Sequence, residues 1–377
     1  MNTSEPLTLL GGRSPDEFMR RYWHKKPLLI RGAIPGFSAL LERGELFDLA
    51  AQDDVESRLI AQVSAAKGKQ PWQFKRGPFV RRALPALRQP RWTLLVQGAN
   101  LYDERVRALM NQFRFVPDAR LDDLMISYAT DGGGVGPHFD SYDVFLLQAH
   151  GRRRWRIGRQ KNFDLMPDMP LKILAHFEAE EEYVLEPGDM LYLPPRWAHD
   201  GIAEGECMTY SIGFRSPGKG ELAQELLQRL ADEAPLALDE AVYRDPRQAA
   251  VQRSGAMPQG LVDFADAAVR TLLADKTALP RALGEYMSEP KANVWFEHGE
   301  AYAGGDVHLD RRSRMLYDDR HVFINGESFV AAGKDATLMR KLCDAQWLAA
   351  ADVKRLSAPA RDLLSQWCED GWLYAST

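Results

Sequence analysis

The spacing of apolar and polar positions divides the chain into three textures. Near the start, "SPDEFMRRY" (14–22) reads as a short helix: Ser14 suits an N-cap, Pro15 opens the first turn, and acids follow it. "KPLLIRGA" then reads as a strand, and residues 40–64 and 101–112 show amphipathic helical spacing. From about 121 to 215 the apolar runs become short and are separated by Gly and Pro: "DLMISYA", "YDVFLLQ", "RRWRIG", "EEYVLEPGDMLYLPP", "CMTYSIGF". That rhythm predicts an all-β sandwich or barrel. After "RSPGKG" (215–220) the period lengthens, and "ELAQELLQRLADEA" and "LVDFADAAVRTLLAD" read as helices. Beyond about 292 the texture is mixed. Asn325-Gly326 between two β-prone runs predicts a hairpin, and helical patterns follow at 336–346 and 358–369. Boundaries therefore fall near 217 and 290.

Bulk numbers narrow the picture. A chain of 377 residues is too long for one ordinary core, so two or three domains are expected. It is 45% hydrophobic and 27% charged, with a mean hydropathy of −0.37, as in soluble globular proteins. No apolar run approaches the ~20 residues that cross a bilayer, so no membrane role is expected. "MNTSEPLTLLGG" lacks a basic segment followed by an apolar one, so no signal peptide is expected. Cys207, Cys343 and Cys368 are odd in number and far apart. They suit a reducing, cytoplasmic setting better than a disulfide framework or a zinc site. A net charge of −5 argues against direct nucleic-acid binding.

The candidate chemistry starts at "GPHFDSYDVFLLQ" (136–148). His-x-acid pairs are cheap: 8 histidines and 53 acids give about one by chance. The chain has His138/Asp140, His176/Glu178, His298/Glu300 and His308/Asp310. The last three lie in polar surroundings and read as surface. His138 and Asp140 precede an apolar strand, and in extended chain positions i and i+2 share a face, so they offer an imidazole and a carboxylate to one ion. The preceding "DGGGVGP" is either a flexible turn or a place where backbone approaches a ligand closely. A facial iron site needs a second histidine and open positions. His199, after the strand-ending Pro194-Pro195 in "EPGDMLYLPPRWAHDG", supplies one.

"GRRRWRIG" (151–158) adds a cation. Alternation puts Arg152, Arg154 and Arg156 on one face and Arg153 with Trp155 and Ile157 on the inner one. A buried guanidinium needs an anion: an internal Asp or Glu, or a dicarboxylate cosubstrate held by a bidentate pair. Two histidines, an aspartate and an inward arginine match an Fe(II)- and 2-oxoglutarate-dependent oxygenase, which uses O2 and releases succinate and carbon dioxide.

At "ISYATDGGGVGPHFDSYDVFLLQAHGRRRWRIG", "EPGDMLYLPPRWAHDG…MTYSIGFRSP" and "FMRRYWHKKPLLIRGA" the chain resembles the JmjC branch of the cupin-fold oxygenases. More narrowly, it is similar to the bacterial ribosomal oxygenases that hydroxylate an arginine of a large-subunit ribosomal protein. The likeness is dense over about 120–217 and looser elsewhere. It implies an α+β chain. A double-stranded β-helix (cupin, jelly-roll) catalytic domain would occupy 1–217, a helical dimerisation region 218–290, and a winged-helix-like module 291–377. It implies iron ligands at His138, Asp140 and His199, and a cosubstrate anchor at Arg153. Ser127, Thr209 and Ser211 would make secondary contacts. The product would be a β-hydroxylated arginine residue. Its guanidinium needs an acidic or aromatic pocket, for which Asp131 and Tyr142 are candidates. Asp131 reads equally as a turn former, and Tyr142 as core packing. The helical region would make a homodimer, or else cap its own chain. The last module shows no clean basic stripe and suits a structural or protein-docking role. Two other readings remain open: the same chemistry on another substrate, such as histidyl hydroxylation or lysine demethylation, and a cupin-like binding module without turnover.

Overall fold

The computed structural model describes residues 2–63 and 72–376, and the chain divides between Ser216 and Pro217 into two compact units. No described helix is long and apolar enough to cross a membrane.

In chain order the first unit comprises α1 (Pro15–Arg21), β1 (Leu28–Ile30), α2 (Arg43–Leu49), β2 (Ser57–Gln62), β3 (Trp72–Arg76), β4 (Trp92–Val96), α3 (Glu104–Asn111), β5 (Leu121–Ala129), β6 (Val144–Gly158), β7 (Glu181–Leu185), β8 (Met190–Leu193) and β9 (Ala198–Phe214). The Ser14 cap is as expected: its hydroxyl accepts the Glu17 backbone N–H at 3.2 Å. The helix expected over 40–64 is not there. Helix α2 stops at Leu49, and 57–62 is a strand between β3 and β4; residue 64 lies outside the described residues. The apolar run there is too short to distinguish the two periods, and sheet pairing on both edges decides it.

The strands run β1-β8-β6-β9-β5-β4-β2-β3, with β7 on the other half of β6. Strands β6 and β9 are long and bent. The first half of β6 pairs with β8 and with the end of β9; its second half pairs with β7 and the start of β9. The ladder shifts register at Gln148–Arg152, where Gly151 takes φ +60° and a Cβ would collide with the Glu206 carbonyl oxygen. Such corners fold one sheet into a double-stranded β-helix.

Alternation along β6 feeds two cores. Phe145 and Leu147 join the large cluster under the N-terminal helices, with Phe18, Phe113 and Tyr192. Val144, Leu146, Trp155 and Ile157 join Leu185, Leu191 and Leu193 in a smaller inner cluster. Each large side chain so buried contributes about 1.5–3 kcal/mol. The inner cluster is the floor of the site described below.

The second unit holds α4 (Lys219–Ala237), α5 (Gln259–Ala274), α6 (Ala278–Ser288), β10 (Asp306–Leu309), β11 (Met315–Tyr317), β12 (His321–Ile324), β13 (Glu327–Val330), α7 (Gly333–Ala345), β14 (Trp347–Leu348), α8 (Ala350–Val353), α9 (Ala358–Glu369) and β15 (Leu373–Ser376). Two small sheets, β14-β10-β15 and β11-β12-β13, share a core with α7 and α9 around Leu342, Leu364 and Trp367. The expected hairpin is β12–β13, with Asn325 at φ 50° and Gly326 at φ 91°. The expected boundary at 290 is not a seam: Ser328 donates to Glu285 at 2.5 Å, and Gly326 N–H donates to Ser288 Oγ, tying α6 to the hairpin. No residue of α5 is buried.

Candidate metal and cosubstrate site

Three segments converge at the mouth of the inner cluster. His138 and His199 form an isolated antiparallel bridge: His138 N–H donates to His199 O at 3.0 Å and His199 N–H to His138 O at 2.8 Å. His138 therefore does not sit in a continuous strand, as its spacing from Asp140 suggested; Gly136 and Pro137 break the ladder before it. The glycine loop serves a different contact from the one expected. A Cβ on Gly134 would lie 2.5 Å from Gly201 O, and one on Gly133 2.6 Å from Trp92 O, so these glycines let backbone approach backbone.

The bridge aligns the ligands. One ligand atom each from His138, Asp140 and His199 falls within 4.8 Å of the others, the one such group among the described residues. Each imidazole Nδ1 lies beside a carbonyl two residues back: His138 on Gly136 O at 2.8 Å, His199 on Trp197 O at 3.0 Å. Donation there leaves both Nε2 lone pairs for an ion, the usual way of fixing a ligating tautomer. Burial, chiefly, and the neighbouring His138 lower the His199 pKa to about 4, against opposing pulls from Asp140 and the Trp197 carbonyl. The ring is thus neutral and ready to ligate at pH 7. The other three His-x-acid pairs do not assemble sites. His176 and His298 are exposed, and Asp310 is tied to Arg312.

The folded pKa of His199 lies below its ordinary 6.5, so between those values the unfolded chain binds the extra proton. Metal-free protein should therefore lose about 3 kcal/mol of stability from this group as pH falls from 6.5 to 4. Urea unfolding across that window, for wild type and His199→Gln, checks it: the variant should lose that slope, and parallel curves would contradict the assignment.

A cavity of about 290 Å³ opens beside the triad, near the lower end of ligand-pocket sizes. Arg153 lines it and is only 4% exposed. Its Nη1 donates to Ser127 Oγ at 3.1 Å, while Nε and Nη2 have no partner. Its stem runs over Trp155, with the guanidinium carbon 5.7 Å from the ring centroid. So the inward position read from alternation is met, but the internal carboxylate it might have served is not: no acid pairs with Arg153 among the described residues. Two unsatisfied donors of one buried guanidinium fit a carboxylate from outside, and the donor set of two imidazoles and one carboxylate fits a divalent metal with positions to spare.

Of the other expected contacts, Ser127, Ser211 and Tyr142 line the cavity. Burial, then the carboxylates of Asp140 and Asp123, push the Tyr142 hydroxyl pKa up, so it stays protonated and can donate. Thr209 does not reach the wall. It is fully buried, and its hydroxyl donates to Gln148 Oε1 at 2.9 Å. Asp131 does not either. It is exposed, and its carboxylate accepts the Gly205 N–H at 2.8 Å, as a turn-forming aspartate does. Besides Asp140, the acids that face the cavity are Asp122 and Asp123 on β5. Asp123 shares the strand parity of Ser127, which is the signal that could have found it. Gln97 bridges Asp123 to a cation at the rim: its Nε2 donates to Asp123 at 2.7 Å, and Arg58 donates to its Oε1 at 2.6 Å.

Residues 108–222 match the JmjC domain family, and residues 271–374 match the ROXA-like winged helix. The chain is 44% identical over 218 residues to the ribosomal protein uL16 3-hydroxylase of Escherichia coli, a stretch covering 56% of this chain and 57% of that one. It is 28% identical to a probable ribosomal oxygenase of Haemophilus influenzae over 95% of both chains. A solved structure of E. coli YcfD superposes with a TM-score of 0.82 at 30% identity, covering 95% of this chain and 97% of that one. Another, of YcfD as a ribosomal oxygenase with cobalt and 2-oxoglutarate, gives 0.78 at 30% identity over 95% and 97%. The chain belongs to the JmjC-domain ribosomal oxygenases.

Proposed function

We propose that this protein is an Fe(II)- and 2-oxoglutarate-dependent oxygenase that hydroxylates the β-carbon of an arginine residue in a large-subunit ribosomal protein. The observation that carries the reading is the pair of unsatisfied Arg153 donors beside the His138/Asp140/His199 group. The chemistry supplied by the bound metal and its cosubstrates is oxidative decarboxylation of the keto acid to succinate and carbon dioxide, with the second oxygen atom entering a C–H bond.

The chain's own residues do the rest. His138 and His199 present their Nε2 atoms, and Asp140 a carboxylate, to the metal. Arg153 holds the far carboxylate of 2-oxoglutarate through Nε and Nη2, and Ser127 fixes the guanidinium plane through Nη1. Trp155, packed 5.7 Å from the His199 ring, keeps water from that side. Asp122, Asp123 and the protonated Tyr142 supply the carboxylates and hydroxyl that a substrate guanidinium seeks, and they favour arginine over histidine. A homodimer suits helix α5, which leaves Leu261, Val262 and Val269 at least 39% exposed on this chain. A cytoplasmic setting suits the buried cysteines Cys207, Cys343 and Cys368 and a ribosomal substrate.

The experiment is mass spectrometry of peptides from the ribosomal protein after incubation with iron, ascorbate and 2-oxoglutarate. The expected product has gained one oxygen on arginine. Unmodified peptides, with turnover of another substrate, would overturn the assignment. Within the same assay, Asp123→Asn keeps an acceptor for Gln97 and removes the charge. It should raise KM for the protein substrate by about tenfold to a hundredfold and leave KM for 2-oxoglutarate unchanged. A parallel rise in both would place Asp123 with the cosubstrate instead.

A further inference from the structure

One face of the sheet β14-β10-β15 has no part in the core. Val307, Leu309, Leu348 and Leu373 point inward. The other face carries His308, with Trp347 directly across on β14 and Tyr374 directly across on β15. The His308 ring lies 5.3 Å from that of Tyr374 and 6.3 Å from that of Trp347, with interplanar angles of 18° and 20°. Three rings thus form one near-parallel row spanning three strands. Both ends of the row are open to solvent: Trp347 is 42% exposed and Tyr374 49%. Asp306, two residues before His308 on the same face, stands opposite Ser376 and spends one oxygen on the Ala350 N–H at 2.8 Å.

The net charge of this unit, with Asp306 on the face itself, selects the occupant. Residues 217–377 contain 19 Lys and Arg against 25 Asp and Glu, whereas 1–216 contain 29 against 28. The unit bearing the ring row therefore carries the negative charge of the whole chain. Phosphate backbones are bound by Lys and Arg and are disfavoured here. A guanidinium stacks on aromatic faces and pairs with a neighbouring carboxylate, and the row with Asp306 offers both.

We propose that Trp347, His308 and Tyr374, with Asp306, form a docking site for arginine side chains of a basic protein segment, namely the ribosomal-protein substrate outside its modified residue. The choice of partner rests on the substrate reading above. The site acts on substrate capture and touches no reacting atom.

The test compares full-length ribosomal-protein substrate with a short peptide around its modified arginine, using the full chain. Trp347→Ala/Tyr374→Ala should raise KM for the full-length substrate by about tenfold, the worth of two cation–π contacts. KM for the short peptide, kcat and the melting temperature should stay as in wild type. Trp347→Phe/Tyr374→Phe keeps the rings and should restore most of the loss. Asp306→Asn keeps the Ala350 cap, removes the charge, and should raise KM for the full-length substrate alone. An equal shift for both substrates, or for neither, overturns the proposal. So does a double variant that loses binding of a single-stranded RNA oligonucleotide, or changes oligomeric state, while capturing substrate normally. Calorimetric titration of the same substrate protein into metal-free chain separates the two readings. Binding that the double variant loses sustains the docking site even where no hydroxylation follows, and no binding by wild type removes it.

Discussion

Arg153→Met should stabilise the metal-free protein while raising KM for 2-oxoglutarate by about 100- to 1,000-fold. The two effects have one cause. The guanidinium is 4% exposed and satisfies one nitrogen of three, through Ser127. A buried charge held so incompletely costs the empty fold desolvation that its contacts do not return. A methionine of similar length fills the same space between Ser127 and Trp155 without that cost, and comparable replacements stabilise by about 1–4 kcal/mol. The cosubstrate sees the opposite sign. Its far carboxylate enters the cavity and loses a bidentate partner, which costs about 3–4 kcal/mol, or two to three powers of ten. Arg153→Lys should fall between, because a point charge does not span both carboxylate oxygens. Thermal unfolding and succinate formation against 2-oxoglutarate concentration check both halves. A destabilised empty protein with unchanged KM would make Arg153 a structural residue.

His138→Ala should abolish tight metal binding and lower turnover at least about a hundredfold, since even indirect support of a ligand is worth about 10- to 100-fold. The fold should survive. The bridge to His199 is made by backbone atoms, which alanine retains, and the imidazole otherwise touches only Gly136 O among its hydrogen-bond partners. The informative controls are His176→Ala and His298→Ala, at exposed members of the same short sequence pattern. They should bind metal and turn over as wild type does. Metal titration by calorimetry and succinate release measure the contrast. Equal losses at 138 and 176 would show that the pattern, and not the converged group, had been mistaken for a site.

How far these residues were legible follows from the reach of each signal. Arg153, Trp155 and Ile157 share a face because strand alternation is local, and the structure buries all three. The bend at Gly151 and the split of β6 between two partners are not local, so the closed β-helix was visible only as a run of short strands and through family resemblance. The convergence of His138 with His199 depends on the antiparallel bridge between them, which spacing does not encode. The strand at 57–62 falls inside the helix expected over 40–64, where the apolar runs are too short to separate the two periods; pairing with β3 and β4 on both edges decides for the strand. Asp131 was chosen for its place before the glycines. Its carboxylate is instead spent on the Gly205 N–H, and the parity of Ser127 leads to Asp123.

One cavity is expected to hold a metal on three side chains and a dicarboxylate on a fourth. A crystal structure of the protein grown without oxygen, with Mn(II) and 2-oxoglutarate, tests it most directly. The expected density places the ion on Nε2 of His138 and His199 and on the Asp140 carboxylate, with the far carboxylate of the keto acid on Nε and Nη2 of Arg153. A keto acid anchored away from Arg153, or an ion that leaves His199 unbound, would contradict it.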